Sequence, residues 1–220
     1  MTKILIADDH HLVRQGIRAL LEKTGEFEVV GEAADGQEAL SMVEQLSPDI
    51  VIMDIAMPRL NGTQATLRIR SISETTEVII LSMYSDPALV RQAITNGAKG
   101  YLLKSSVAEE MLLAIKAVKY GNYFLSSAIS GIIHSKLINS HQLSEQKFPQ
   151  GGLESLTPRE IEVLQLIAEG YTNNGMAKTM NLSVKTVEKH RASLMTKLSI
   201  FDTAGLVRFA IKHGLIFLEE

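Results

Sequence analysis

Apolar positions in the first hundred residues follow two alternating rhythms. Short runs at 4–7, 27–33, 50–53, 78–81 and 100–103 read as strands. Between them, 10–23 carries Val13, Ile17, Leu20 and Leu21 at helical spacing, and 36–46 places Ala39, Leu40 and Val43 on one side. A helix ending near 71, and others over 87–96 and 107–119, repeat that pattern. Five strands alternating with five helices predict an α/β fold with a doubly wound five-stranded parallel sheet. The runs at 50–53 and 78–81 are apolar throughout, as in strands covered on both faces.

The rhythm changes after residue 122. A serine-rich stretch from Ser126 to Ser144, then Pro149 and Gly151-Gly152, predicts a linker over 123–153 with one helix across 129–138. From 154 onward the pattern is all-α with four helices. Thr157-Pro158-Arg159-Glu160 has the form of a capping box, with Thr at N-cap and Pro at N1. It opens a helix through Leu164, Ile167 and Ala168 that Gly170 closes. Thr172 and Ser183 are placed to cap the second and third helices, and 203–213 makes the fourth. The division expected is therefore 1–122, a linker at 123–153, and 154–220.

Composition narrows the chemistry. The chain has 220 residues and no cysteine, which excludes disulfides and thiolate metal sites. No apolar stretch approaches the roughly 18 residues of a membrane span, so no membrane association is expected. Asp8-Asp9 interrupts the start too early for a signal-peptide core, and a cytoplasmic location is expected. Residues 1–122 hold 12 Lys+Arg against 16 Asp+Glu, while 154–220 hold 8 of each. Within 183–198, however, Lys185, Lys189, Arg191 and Lys197 face only Glu188. That local excess suits an element that enters a nucleic-acid groove.

Asp8, Asp9, Asp54, Ser82 and Lys104 each sit just past a strand-like run. In an open parallel sheet the crevice lies beyond the carboxyl ends of the strands, so these residues converge. Singly, each has an ordinary reading: an acidic pair that caps a helix, an aspartate in a loop, a solvated lysine. Together they make an oxygen-rich site that suits Mg²⁺, with an ammonium opposite for a phosphoryl group.

With the loop Asp54-Ile55-Ala56-Met57-Pro58 and Asn61-Gly62, and with Gly97-Ala98-Lys99-Gly100-Tyr101 leading to Lys104, residues 1 to about 120 resemble the receiver domain of two-component response regulators. The resemblance implies the flavodoxin-like receiver fold, with Asp54 as phosphoacceptor. It implies Mg²⁺ bound by Asp9, Asp54 and the backbone carbonyl of Ala56, with Asp8 acting through water. Lys104 and Ser82 would contact the phosphoryl oxygens, and Tyr101 would be the aromatic that turns inward as Ser82 moves. Ser105 stands where the family often has proline. By the same resemblance, Ala56 and Tyr84 would occupy the two positions whose side chains help or hinder hydrolysis of the acyl phosphate, and Ala56 offers no polar atom to orient a water.

Leu156-Thr157-Pro158-Arg159-Glu160, Ala168-Glu169-Gly170-Tyr171-Thr172 and Leu182-Ser183-Val184-Lys185-Thr186-Val187-Glu188-Lys189-His190 resemble the LuxR-type helix-turn-helix of the NarL/FixJ family. On the third helix Val187, Leu194 and Leu198 fall at core spacing, with Lys185, Glu188, Lys189 and Ala192 opposite. Solvated charge is the plain reading of that face; the resemblance makes it a recognition helix. It implies that Glu188, Lys189 and Ala192 face bases and that Lys185, Thr186 and Arg191 contact phosphates. His190 is as readily structural as DNA-contacting. Two departures stand out: Gly175-Met176 replaces an acidic residue and isoleucine, and the turn at Phe201-Asp202 lacks an arginine. Gly175 inside a helix is expected to cost roughly 1 kcal/mol.

The resulting expectation is a transcription factor, not an enzyme, phosphorylated by a sensor histidine kinase and binding double-stranded promoter DNA as a homodimer. Dimerisation through receiver surfaces or through 203–213 stays open. A phosphohydrolase using Asp54 would need a second acid two residues on, where Ala56 stands. A phosphorylation-independent DNA-binding protein is the other alternative, and the complete acidic site argues against it.

Overall fold

The first part of the chain runs β1 (Thr2–Ala7), α1 (His11–Glu22), β2 (Phe27–Ala33), α2 (Gly36–Leu46), β3 (Ile50–Asp54), α3 (Gly62–Ile72), β4 (Glu77–Ser82), α4 (Pro87–Thr95), β5 (Gly100–Leu103), α5 (Val107–Lys119) and β6 (Phe124–Leu125). This is a computed structural model, and it describes residues 1–131 and 152–216. All strand pairs are parallel, in the order β2-β1-β3-β4-β5-β6. The sheet thus has one strand more than the five expected. β6 lies in the stretch read as linker, where two residues alone carry too little pattern to register as a strand. It pairs Phe124 with Gly100 and Leu125 with Tyr101.

Side chains alternate across the sheet, so each strand feeds two cores. Ile4, Ile6, Ile50, Ile52, Ile79, Leu81 and Leu102 pack with Ile17 and Leu21 of α1 and with Met111, Ala114, Ile115 and Val118 of α5. Leu5, Val51, Met53, Val78, Ile80 and Tyr101 are buried on the opposite side, where α2, α3 and α4 pack. Burying an aliphatic side chain of this size contributes roughly 1.5–3 kcal/mol, which makes this two-sided cover the main stabilising term. Connections run outward in both directions from β1 and β3, and that reversal opens a crevice at the carboxyl ends of these strands.

The chain divides into two compact units, Met1–Gln142 and Leu143–Glu220. The helix expected over 129–138 lies mostly outside the described residues, although 127–131 are helical. The second unit contains α6 (Pro158–Ala168), α7 (Asn173–Thr179), α8 (Val184–Leu198) and α9 (Thr203–Lys212). Their core gathers Val163, Leu164, Leu166, Met176, Val187, Leu194, Leu206 and Ala210.

Thr157 and Glu160 form the expected capping box on α6, while Thr172, Ser183 and Asp202 cap the helices that follow. Gly175 sits in the first turn of α7, where its N–H donates to Thr172 Oγ1 at 3.2 Å. The expected penalty is therefore reduced, because a glycine in a capped first turn does not interrupt a helix interior. Met176 is fully buried behind it.

Candidate functional site

Strand register decides which side chains meet. Ala7 pairs with Met53 and Asp54 with Leu81, so the acidic pair leaves β1 level with Asp54 at the end of β3. Ser82 ends β4, and Lys104 directly follows β5. Asp8 and Asp54 are 0% and 2% exposed, whereas Asp9 stays partly open to solvent. The Lys104 ammonium lies 2.8 Å from Asp8 Oδ2 and 3.1 Å from Asp54 Oδ2.

The plain readings of these residues do not describe this geometry. The N-cap of α1 is His10, which makes no side-chain cap; its backbone N–H donates to Asp8 Oδ1 at 2.8 Å. Lys104 is withdrawn from solvent rather than free in it.

Burial pushes the Asp54 carboxyl up to about 7, and the charge of Asp8 adds to this while Lys104 partly offsets it. Burial works against the Lys104 charge, but Asp54 and Asp8 outweigh it and hold the ammonium above its ordinary pKa. Asp8 Oδ2 and Asp54 Oδ2 are buried and face the Lys104 ammonium, while Asp9 Oδ1 lies 2.7 Å from His10 Nδ1. One donor atom each from Asp8, Asp9, His10 and Asp54 lies within 4.8 Å of the others. Buried carboxylate oxygens in that spacing fit a hard divalent cation such as Mg²⁺.

The loop after β3 is fixed on several sides. Ile55 N–H donates to Leu81 O and Gly62 N–H to Ile55 O, both at 3.0 Å. Asn61 caps α3 by accepting from Gln64 N–H at 2.9 Å and from the Thr63 hydroxyl at 2.8 Å. A Cβ on Gly62 would stand 2.0 Å from the Asp54 carbonyl oxygen, so only glycine leaves Asp54 in place. Asp35 caps α2 and forms an ion pair with Arg59 of this loop. Ala56 sits partly exposed within it.

Ser82 Oγ accepts from Tyr84 N–H at 2.9 Å, and the buried Tyr101 hydroxyl donates to Tyr84 O at 2.9 Å. Burial, then the charges of Asp86 and Asp54, push the Tyr101 phenol up to about 12 against a hydrogen bond with Ser82. Tyr101 is therefore a permanent donor, already turned inward in this structure. All described peptide bonds are trans, including the one before Ser105.

In the second unit, α8 separates as its spacing predicts. Val187, Leu194 and Leu198 are buried, and Lys185, Glu188, Lys189 and Ala192 are exposed along one face. Thr186 is half-buried and receives the cap from Ser183 at 3.1 Å. Arg191 lies off that face, donating to Asn173 Oδ1 at 3.1 Å and Thr203 Oγ1 at 3.2 Å. It thereby ties α8 to the first residues of α7 and α9.

Residues 4–116 match the response regulator receiver domain family, and residues 154–210 match the luxR family of bacterial regulatory proteins. The chain belongs to the NarL/FixJ family of two-component response regulators. The regulator is 39% identical over 215 residues to the oxygen regulatory protein NreC of Staphylococcus haemolyticus, covering 97% of this chain and 99% of NreC. It is 38% identical over 217 residues to the transcriptional regulatory protein LiaR of Bacillus subtilis, covering 98% and 100%. Among solved structures, RcsB as two dimers bound to two parallel DNAs is 27% identical with a TM-score of 0.57, covering 94% and 96%. The regulator is thus a DNA-binding response regulator with a receiver and a LuxR-type helix-turn-helix. No described helix is long and apolar enough to cross a membrane.

Three residues of the regulator carry more than the sequence disclosed. His10, adjacent to Asp9, brings Nδ1 to 2.7 Å from Asp9 Oδ1. Glu110 of α5 accepts from Ser126 Oγ, and at 3.1 Å from Ser127 N–H, gripping the chain where it leaves β6. Glu160, legible only as a cap, also accepts from Ser193 Oγ at 2.6 Å and Lys197 at 2.7 Å across α8. His10 carries a weak sequence signal through its place beside the acidic pair; the other two have none beyond local capping.

Proposed function

We propose that Asp54 accepts a phosphoryl group from a sensor histidine kinase, and that this changes how α8 engages promoter DNA. The observation that carries the reading is the buried Asp54 carboxyl set against Lys104 and two further carboxylates at one crevice. Asp9, Asp54 and the carbonyl of Ala56 would hold Mg²⁺ directly, and Asp8 through water. The ion, when bound, offsets the repulsion between a carboxylate and a phosphoryl group.

An Asp54 oxygen attacks phosphorus, the P–N bond of the donor phosphohistidine breaks, and the imidazole nitrogen leaves with the electron pair. Lys104 then pairs with phosphoryl oxygens, and the Ser82 hydroxyl donates to another. That turn of Ser82 releases the Tyr84 N–H it now accepts, and Tyr84 O is held by Tyr101. Tyr101 O in turn accepts from Ser126 N–H at 2.9 Å, where Glu110 grips the chain. Local charge is thereby converted into movement at the exit from the sheet.

Transfer to Asp54 happens once per activation rather than as metabolic turnover, so the regulator acts as a transcription factor and not as an enzyme. It works in the cytoplasm and forms a homodimer when phosphorylated, in keeping with the dimeric state in which RcsB was solved on DNA. Incubation with acetyl phosphate and Mg²⁺ should give a single retarded species on a Phos-tag gel; a wild-type chain that never shifts would refute the reading. Ala56 has no polar atom to orient water, so the acyl phosphate is expected to persist for minutes or longer. Decay within seconds without a phosphatase would contradict that role for Ala56.

On DNA, Glu188, Lys189 and Ala192 face base edges, and Lys185, Thr186 and Arg191 contact phosphates. Lys reads guanine acceptors and Glu accepts from cytosine N4. Lys189→Ala should cost about 1–3 kcal/mol of discrimination between sites. Lys185→Ala should weaken every sequence alike and lower the salt slope by about one. Binding isotherms at several salt concentrations separate the two, and equal loss of discrimination in both variants would reject the division.

A further inference from the structure

The two aspartates that open the acidic crevice are joined by one peptide unit, and α1 holds that unit from behind. Arg14 Nη1 donates to the Asp8 carbonyl oxygen at 2.7 Å, while Nε of the same guanidinium donates to Glu32 Oε2 at 3.1 Å. Glu32 stands beside Ile6 in the β1–β2 register, on the face of the sheet that α1 covers. Arg18, one turn further along α1, donates to the other oxygen of Glu32 at 2.6 Å. The side chains of Arg14 and Glu32 are 13% and 19% exposed, so salt screens this bridge little. Burial alone would raise the Glu32 carboxyl, but Arg18 and Arg14 outweigh it and hold the group below its ordinary pKa. Glu32 therefore stays anionic at neutral pH and anchors the guanidinium.

At the end of the β1–β2 pairing, Asp8 N–H donates to Ala33 O at 3.1 Å. Beyond it the chain leaves the sheet, and α1 begins at His10 without a side-chain cap. A peptide unit is planar, so the oxygen of Asp8 and the N–H of Asp9 turn together. Fixing that oxygen fixes the plane from which the Asp9 side chain departs. We infer that Arg14 is a positioning residue for the acidic pair, locking the Asp8–Asp9 peptide so that both carboxylates face the cation. The inference rests on the proposed phosphoryl transfer to Asp54 and adds a residue that acts through Asp8 rather than on the ion. Arginine suits the task because its rigid fork reaches two acceptors at once, whereas a lysine ammonium is one point of charge on a flexible stem. Arg18 grips the same Glu32, but its second partner is Glu22, so it separates this role from a structural one.

Full-length wild type, Arg14→Ala, Arg14→Lys and Arg18→Ala are titrated with Mg²⁺ by calorimetry. Their phosphorylation by acetyl phosphate is then followed against Mg²⁺ concentration. Arg14→Ala should lower Mg²⁺ affinity by about tenfold, the low end of what losing a residue that supports metal ligands costs. Its phosphorylation should need correspondingly more Mg²⁺ while the plateau rate stays at the wild-type value, because only binding of the ion is weakened. Arg14→Lys keeps the charge and most of the stem, so it should fold like wild type and still bind Mg²⁺ more weakly. Arg18→Ala breaks a shorter bond to Glu32. It should lose as much thermal stability as Arg14→Ala with no change in Mg²⁺ affinity.

Wild-type Mg²⁺ affinity in Arg14→Ala would overturn the inference. Should that variant not fold, wild-type affinity in Arg14→Lys overturns it instead. An equal loss of Mg²⁺ affinity in Arg14→Ala and Arg18→Ala would make the Glu32 bridge a structural tie of α1 and reject the positioning role. A lower plateau rate at unchanged Mg²⁺ affinity would place Arg14 in the transfer itself and reject it as well. A wild type that binds no Mg²⁺ would be a different result, removing the cation-site reading and the role of Arg14 with it.

Discussion

Asp54→Asn is expected to abolish phosphate uptake from acetyl phosphate or a kinase while leaving the receiver folded. Asparagine fills the same volume but presents no anionic oxygen to attack phosphorus, so no shifted species should appear under conditions that convert wild type. The folded state should survive, because the substitution removes one of the buried carboxylates that repel each other at this crevice. Lys104 would keep Asp8 as a partner at 2.8 Å. Thermal denaturation at neutral pH should show a receiver at least as stable as wild type. A shifted band of ordinary intensity in Asp54→Asn would mean that phosphate goes elsewhere, and the whole mechanism would fall.

The largest stability effect is expected from Glu160→Ala in the second unit. Its carboxylate is 4% exposed and joins the N-cap of α6 to Ser193 and Lys197 of α8. Truncation removes the capping box and leaves the Lys197 ammonium without that partner. Breaking a buried charged pair typically costs 3–5 kcal/mol. Lys197 is about a third exposed, so roughly 2–3 kcal/mol is the better expectation here. For a unit of this size that corresponds to a fall of roughly 10–20 °C in its melting temperature. Scanning calorimetry of the full chain should show it as a shift of one transition with the receiver transition in place.

The same carboxylate sets a pH dependence. Burial alone would raise the Glu160 pKa, but hydrogen bonds from Lys197, Ser193 and Thr157 outweigh it and hold the group at about 2, against 4.5 ordinarily. A depressed folded-state value adds stability that is fully present above the unfolded pKa. That contribution is lost as pH falls from about 5 towards 2. Glu160→Gln should flatten this acid limb; an identical pH profile for wild type and Glu160→Gln would show that the network contributes nothing.

How far the sequence reached differs between elements. The receiver helices and strands were legible almost to the residue, because a doubly wound sheet imposes one hydrophobic period on each segment. β6 was not, since a two-residue strand with Phe124 and Leu125 has no period to read. Gly175 looked like a helix defect because the pattern does not say where the first turn begins; Thr172 decides that. Glu160 announced its cap through local spacing, but nothing local points to Lys197, 37 residues on.

For the candidate site, the residue types and their places after strands followed from the chain alone. That one end of the sheet collects Asp8, Asp9, Asp54, Ser82 and Lys104 is a consequence of parallel topology, which the alternation of elements dictates. The burial of Asp8 and Asp54, the position of Lys104 between them and the approach of His10 to Asp9 were settled only by tertiary structure. Hydrophobic periodicity records which way a side chain faces relative to its own element. Distances between side chains on different strands depend on register, twist and packing, and no single segment encodes these.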